Sequence, residues 1–234
     1  MRTAFTFLRV QKEAGKQQAM KRLYRENANE PDCLNDYQHG SGNWKAVTKE
    51  HKASIWEQLH SMQGNLCAYC EASLETFGKH IEHFRTRNSY PNLTFKWANL
   101  FGSCCKSDSC GTYKDQGAGA YNADDLLDPS VDDPDDFFEF RTDGTISVRA
   151  SLSEQDVHRA NETLRVFNLD PEFGRWRRMR RIAVECYQAV QPGITAELME
   201  FDDEERRDYI LAEIDNIRSE PFSGPIRQLF EGLY

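Results

Sequence analysis

An α+β fold, mostly helical, is predicted for this 234-residue chain by three observations. Apolar residues recur every three or four positions over 44–62, and much of 153–234 also reads as helix. Short β-type runs are confined to His80-Ile81-Glu82-His83-Phe84 and to the two sides of Asp143-Gly144. Five of the seven cysteines fall between Cys67 and Cys110, in a stretch rich in Gly, Ser and Asn. That composition describes a small loop-rich unit whose core is largely replaced by bound metal.

Residues 1–62 read as an N-terminal helical arm, roughly 11–27, then a polar loop around Pro31 and His39-Gly40-Ser41-Gly42, then a helix leading into the core. Trp44, Val47, His51, Ile55, Leu59 and Met62 form the stripe of that helix, and Gly64 ends it. Residues 63–119 are the cysteine-rich core. Residues 120–152 combine an acidic, proline-punctuated linker at 124–136 with a β-hairpin of 137–140 and 145–148 turning on Asp143-Gly144. Residues 153–234 form a helical region. Ser153 caps a helix to about Asn168, Pro171 opens a second to about Val190, and a third covers roughly 195–218. Leu229, Phe230, Leu233 and Tyr234 are read as closing its core.

The first apolar run is broken by Arg9, so neither a secretory leader nor a membrane span is expected, and the cytoplasm is the expected compartment. A disulfide framework is then excluded in favour of metal binding, with Cys33 and Cys186 left over. Residues 1–118 carry 16 Lys+Arg against 12 Asp+Glu, and 119–234 carry 13 against 26. Such an acidic chain repels nucleic acid at long range and argues against a free-standing, high-affinity DNA binder.

Cys67 and Cys70 have the spacing of a zinc knuckle, in which two thiolates take adjacent corners of a tetrahedron. Cys104 or Cys105, with Cys110, supplies the second pair. Between the pairs, strict strand alternation puts His80 and Glu82 on one face and His83 on the other. Glu82 and His83 therefore share a site only near a strand end or a bulge. Asn99 follows, a residue type that can orient the ring of a general-base histidine.

The order CxxC, acidic-His, Asn, Cys, Cys-x3-Lys resembles an HNH, or ββα-metal, endonuclease. The wording CAYCE, IEHF, YPNLTFKWANL, SC, CG and K is similar to the Septu- and retron-associated HNH nucleases of the PtuB type. The likeness continues through Leu126-Leu127-Asp128-Pro129, Asp133-Pro134 and the 163–169 segment, and runs from about residue 31 to about 181. It implies a zinc-stabilised ββα-metal HNH core flanked by N-terminal helices and a C-terminal helical region with a short hairpin. It also implies metal-dependent hydrolysis of nucleic-acid phosphodiesters, with DNA as the family default and structured RNA such as tRNA the other substrate class. The same resemblance implies a toxic antiphage effector working with a PtuA-like ABC/SMC-type ATPase and, in some systems, a retron reverse transcriptase and its noncoding RNA.

Carried over residue by residue, the resemblance makes His83 the general base, Glu82 a ligand of a catalytic Mg²⁺ or Mn²⁺, Asn99 the residue that orients His83, and Lys114 a phosphate contact. Cys67, Cys70, Cys104 and Cys110 hold the structural zinc. Two departures stand out. Glu82 replaces the more common Asp, and Gly111 occupies a position often filled by His or Asn, so one ligand is missing from its usual place. His80 is the preferred substitute, with Asp115 or water as alternatives.

Outside this segment, residues 175–181 are arginine-rich and read either as a salt-bridged helix or as a phosphate-binding surface with Trp176 stacking on a base. Phe5, Phe7, Leu8 and Val10 mark the arm as the expected ATPase-contacting segment. The reading from a different class is a non-catalytic, zinc-stabilised adaptor for nucleic acid or the ATPase. A redox-sensing cysteine protein is a third.

Overall fold

The computed structural model describes residues 22–38 and 43–233 and has an α+β, mostly helical architecture. The predicted arm at 11–27, the proposed ATPase-contacting residues and the His39–Gly42 loop lie wholly or partly outside the described residues. Its described end is a single 3-10 turn, Arg25–Asn27, rather than an α-helix. No helix among the described residues is long and apolar enough to cross a membrane.

Helix α1, Lys49–Gln63, starts where the Thr48 hydroxyl accepts the His51 N–H, and it stops at Gly64, whose φ of 64° few other residues adopt. Trp44 stands before it in its own 3-10 turn. Ile55, Leu59 and Met62 form its buried stripe. A knuckle turn and the short α2, Leu74–Phe77, lead into β1, Lys79–His83. Strand β1 pairs antiparallel with β2, Leu100–Cys104, placing His80 opposite Ser103 and Glu82 opposite Phe101. Helix α3, Cys110–Gln116, follows.

The acidic stretch is not a structureless linker. Leu126 and Leu127 are buried, and the Leu127 N–H donates to Thr163 Oγ1 at 2.8 Å. Asp133 caps the short α4, Pro134–Phe137, and Asp132 pairs with Arg159 at 2.7 Å. Here carboxylates serve as caps and ion-pair partners, which apolar periodicity does not register. The hairpin β3, Phe138–Phe140, and β4, Ile146–Val148, forms as predicted around Gly144, whose φ is 87°.

Helix α5, Glu154–Val166, is capped by Ser153. The next helix, α6, begins at Arg175 rather than at Pro171 and ends at Val190. The predicted third helix is split into α7, Ile194–Leu198, and α8, Asp203–Ile217, with Asp202 capping the second. Finally α9, Ser223–Arg227, packs on α6. Phe230 is buried with Ile194, Leu198, Ile210 and Ile214, and Leu229 and Leu233 are partly buried against the C-terminal helices, so these three close a core as expected, while Tyr234 lies outside the described residues. The main core is one cluster that runs from Leu23 through Cys67, Phe101 and Phe138 to Trp176 and Phe222.

The arginine-rich segment proves to be salt-bridged. Arg177 and Arg180 both pair with Asp170, Arg175 reaches Asp108 at 3.3 Å, and Arg181 reaches Glu185 at 3.5 Å. Trp176 is buried edge-on to Phe77 and cannot stack on a base. The Arg180 guanidinium is 4% exposed and also donates to the Gly144 and Leu169 carbonyls. Removing Asp170 strands a buried charge, so Asp170→Ala is expected to lower unfolding free energy by about 3–5 kcal/mol in urea titrations. A shift inside 1 kcal/mol (roughly one neutral hydrogen bond) would mean that the pair is dispensable.

Candidate functional site

Two clusters of potential ligands flank the β1-β2 pair. The first is the thiol cluster. Cys67 and Cys70 sit on a turn held by Cys67 N–H to Ala72 O at 2.9 Å and Glu71 N–H to Cys67 O at 3.0 Å, with Glu71 at a φ of 58°. Cys104 ends β2, and Cys110 opens α3 with a φ of 56°. The four buried Sγ atoms lie within 4.8 Å of one another. A tetrahedral zinc thiolate has S···S edges of about 3.8 Å, and Cys70 and Cys104 are already 4.0 Å apart. The donor set fits a metal ion such as zinc.

Strand geometry decides between the adjacent cysteines. Cys104 is fully buried in the cluster, whereas Cys105 is exposed and turned the other way, with its Sγ 3.8 Å from His80 Nδ1. Burial would raise the Cys67 thiol, but contacts from Cys104, Cys110 and Cys70 outweigh it and carry Cys67 well below the ordinary thiol range. Burial pushes Cys70 and Cys110 up. Hydrogen bonds from three neighbouring thiols thus favour ionisation of Cys67 against the cost of burial, and a bound cation would favour it for all four.

Two supports of this cluster are invisible to motif reading. Gln63, on the last turn of α1, donates from Nε2 to Leu66 O and Gly102 O and accepts the Gly102 N–H at 2.8 Å, tying helix, knuckle and β2 together. The Cys110 N–H donates to Phe167 O at 2.8 Å, beyond the end of α5. Asn168, itself at a φ of 47°, donates to Asp108 O at 2.7 Å. Arg25 adds a third brace, its guanidinium 4.4 Å from the Phe101 ring centroid and donating to Trp97 O and Leu100 O.

The second cluster lies on the His80-Glu82 face of β1. His80 Nε2 is 3.1 Å from Glu82 Oε2, and Lys114 Nζ is 2.9 Å from Glu82 Oε1. Lys114 also pairs with Asp115 and approaches Tyr121 Oη at 3.5 Å. Glu82 is almost wholly buried. Burial would raise its carboxyl, but His80 and the Lys114 charge outweigh it and hold the group below the usual carboxylate range. The opposite balance lifts Lys114, where burial is outweighed by Glu82 and Asp115. Glu82 Oε1 meets the Lys114 ammonium at 2.9 Å, which acts on the carboxylate both by its charge and as a hydrogen-bond donor. A buried, ionised carboxylate beside an imidazole is a donor set that suits a hard divalent cation keeping much of its water.

His83 is the last residue of β1, at the strand end that alternation demanded. Its ring is buried, with Trp44 edge-on at 4.5 Å. Nε2 lies 3.0 Å from Thr94 O, and since a carbonyl only accepts, Nε2 carries the proton and Nδ1 keeps the lone pair. Burial pushes its pKa down to about 4, so the ring is neutral at pH 7. The Asn99 side chain does not bond the His83 ring. It accepts the Arg85 N–H at 2.7 Å and donates to Arg85 O and Leu93 O, fixing the loop that begins after His83. Thr94 O is the group on His83. Lys114 points at Glu82 and is 2% exposed, so in this arrangement it neutralises a carboxylate rather than meeting solvent. Beside it opens a polar cleft bounded by Arg87, Ser89, Tyr90, Asp115 and Tyr121.

No protein-family model matches the chain. It is 29% identical over 124 residues to the retron Vc95 putative HNH endonuclease of Vibrio cholerae serotype O1 biovar El Tor, a match covering 51% of this chain and 58% of the relative. It is 34% identical over 89 residues to Septu protein PtuB of Bacillus thuringiensis, covering 35% of this chain and 33% of that protein. The matched stretches thus span little more than half of one relative and a third of the other.

Proposed function

We propose, from the premise that this chain belongs to an HNH/PtuB-like family, that it is a metal-dependent HNH endonuclease whose β1-β2-α3 unit is a zinc-stabilised ββα-metal core. The observation that carries the reading is the paired cluster. Four thiols hold one end of β2 and the start of α3, while His80, Glu82 and Lys114 join in one chain of contacts whose last member, Lys114, lines a polar cleft. A divalent ion bound by Glu82 and His80 would neutralise charge developing on a phosphodiester and on its leaving oxygen. The zinc would be structural and held by Cys67, Cys70, Cys104 and Cys110.

The chain's own residues do the remaining work. His83 Nδ1, neutral at pH 7 and fixed through Nε2, takes the proton of the attacking water. Asn99 holds the loop on which Thr94 and Arg85 sit. Arg87 and Tyr90 line the side of the cleft from which a phosphate backbone approaches. The surplus of acidic residues in the second half leaves long-range attraction to a partner, which fits an ABC/SMC-type ATPase of the PtuA kind in antiphage defence. DNA is the favoured substrate, with structured RNA second.

One observation favours the non-catalytic adaptor instead. Among the described residues, only the thiol cluster gathers three or more metal-ligating groups. Incubation of the protein, alone and with its co-purifying ATPase, with plasmid DNA and total RNA decides between them. Cleavage that needs Mg²⁺ or Mn²⁺ and stops with EDTA is expected. Intact nucleic acid under every condition, partner included, would establish the adaptor.

A further inference from the structure

Gly111 stands directly beside the Glu82 carboxylate. A Cβ placed on Gly111 would lie 2.3 Å from Glu82 Oε2, 2.4 Å from Cδ and 2.7 Å from Cγ, all closer than any real contact. The backbone there has little room to withdraw. Cys110 belongs to the thiol cluster and donates to Phe167 O, and the Gly111 N–H donates to Ser103 Oγ at 3.2 Å. Nor does the conformation call for glycine, because Gly111 is absent from the glycines with positive φ. On an α-helix an alanine at such a position normally stabilises. The three atoms nearest to such a Cβ all belong to the Glu82 side chain.

We propose that Gly111 is the seat of the Glu82 carboxylate, and that the longer acid and the missing side chain on α3 are two halves of one arrangement. The divalent ion is then held from β1 alone, by Glu82 and His80, which share one face of the strand. Helix α3 supplies the Lys114 charge and no ligand. Two protein ligands suffice for a hard cation such as Mg²⁺ or Mn²⁺, which retains several waters and recruits substrate phosphate oxygens. The inference deepens the endonuclease reading and rests on it for the identity of the ion.

The test is a cycle of wild type, Gly111→Ala, Glu82→Ala and the double variant, as zinc-loaded full-length protein, with His80→Ala alongside. Two quantities are read: Mn²⁺ affinity by electron paramagnetic resonance and the urea midpoint. Gly111→Ala, Glu82→Ala and His80→Ala are each expected to weaken Mn²⁺ binding by about 10-fold to 100-fold. Gly111→Ala should lower the midpoint in the wild-type background and leave it unchanged or raised when Glu82 is already alanine. If Gly111→Ala yields no folded protein, a double variant as stable as Glu82→Ala supports the seat, and a double variant that also fails to fold overturns it. Wild-type Mn²⁺ affinity in Gly111→Ala or in His80→Ala, no Mn²⁺ binding by the wild type, or an equal midpoint loss in both backgrounds would each overturn the proposal. A wild type that binds Mn²⁺ and couples Gly111 to Glu82 yet cuts nothing would remove the endonuclease reading and leave the seat standing.

Discussion

Replacing His83 with alanine is expected to reduce nucleic-acid cleavage by about 10²–10⁴-fold, the usual contribution of a positioned general base. Zinc content and secondary structure should be unchanged. The argument rests on Nδ1, the ring nitrogen with a lone pair, since Nε2 is engaged with Thr94 O at 3.0 Å. The ring also packs against Trp44, so truncation opens a small cavity that could by itself lower activity. His83→Gln separates the two effects, because its amide fills most of the space and reaches the position of Nε2, from which it can still donate to Thr94 O, but it is no base. Both variants should be equally inactive while binding Mn²⁺ as the wild type does. Cleavage by either within two-fold of wild type would remove His83 from the reaction.

Cys104→Ser is expected to fail at an earlier stage, yielding little soluble, zinc-loaded protein. Structural zinc contributes roughly 10–16 kcal/mol of apparent binding free energy at pH 7, against a net stability of about 5–15 kcal/mol for a typical domain. A weakened site therefore outweighs the folding margin. Cys104 is the sharpest choice because its neighbour is the control. Cys105 is exposed and outside the cluster, so Cys105→Ser should express with zinc near one per chain by elemental analysis. Equal zinc in the two variants would mean that the thiol cluster is not the metal site.

The contrast between these two cysteines shows what a sequence conveys and what it withholds. Spacing identified a four-thiol set, since ligands on tight turns must be close in the chain. It left Cys104 and Cys105 open, because only the pairing of β2 with β1 says which way each faces. His80 and Glu82 came together as period-two alternation requires. Asn99 was expected to orient His83, but its bonds go to Arg85 and Leu93, partners set by a loop no periodicity describes. Trp176 and the arginines around it were ambiguous because charge is local in sequence while Asp170 and Asp108 reach them through the fold. The acidic stretch misled for the same reason, its carboxylates being committed to caps and to Arg159. Gln63 carried no signal at all, since a lone amide becomes a brace only when two backbones approach it.

The bond from Cys110 N–H to Phe167 O also has a consequence in time. Phe167 follows Cys110 by 57 positions, and a ribosome adding about 5–20 residues per second needs roughly 3–11 s to cover that distance. All four thiols are therefore synthesised before the carbonyl that anchors the left-handed turn at Cys110. During that interval a nascent chain holds the ligands without the anchor. The order of synthesis thus sets a delay between having a metal-binding sequence and having a finished metal site.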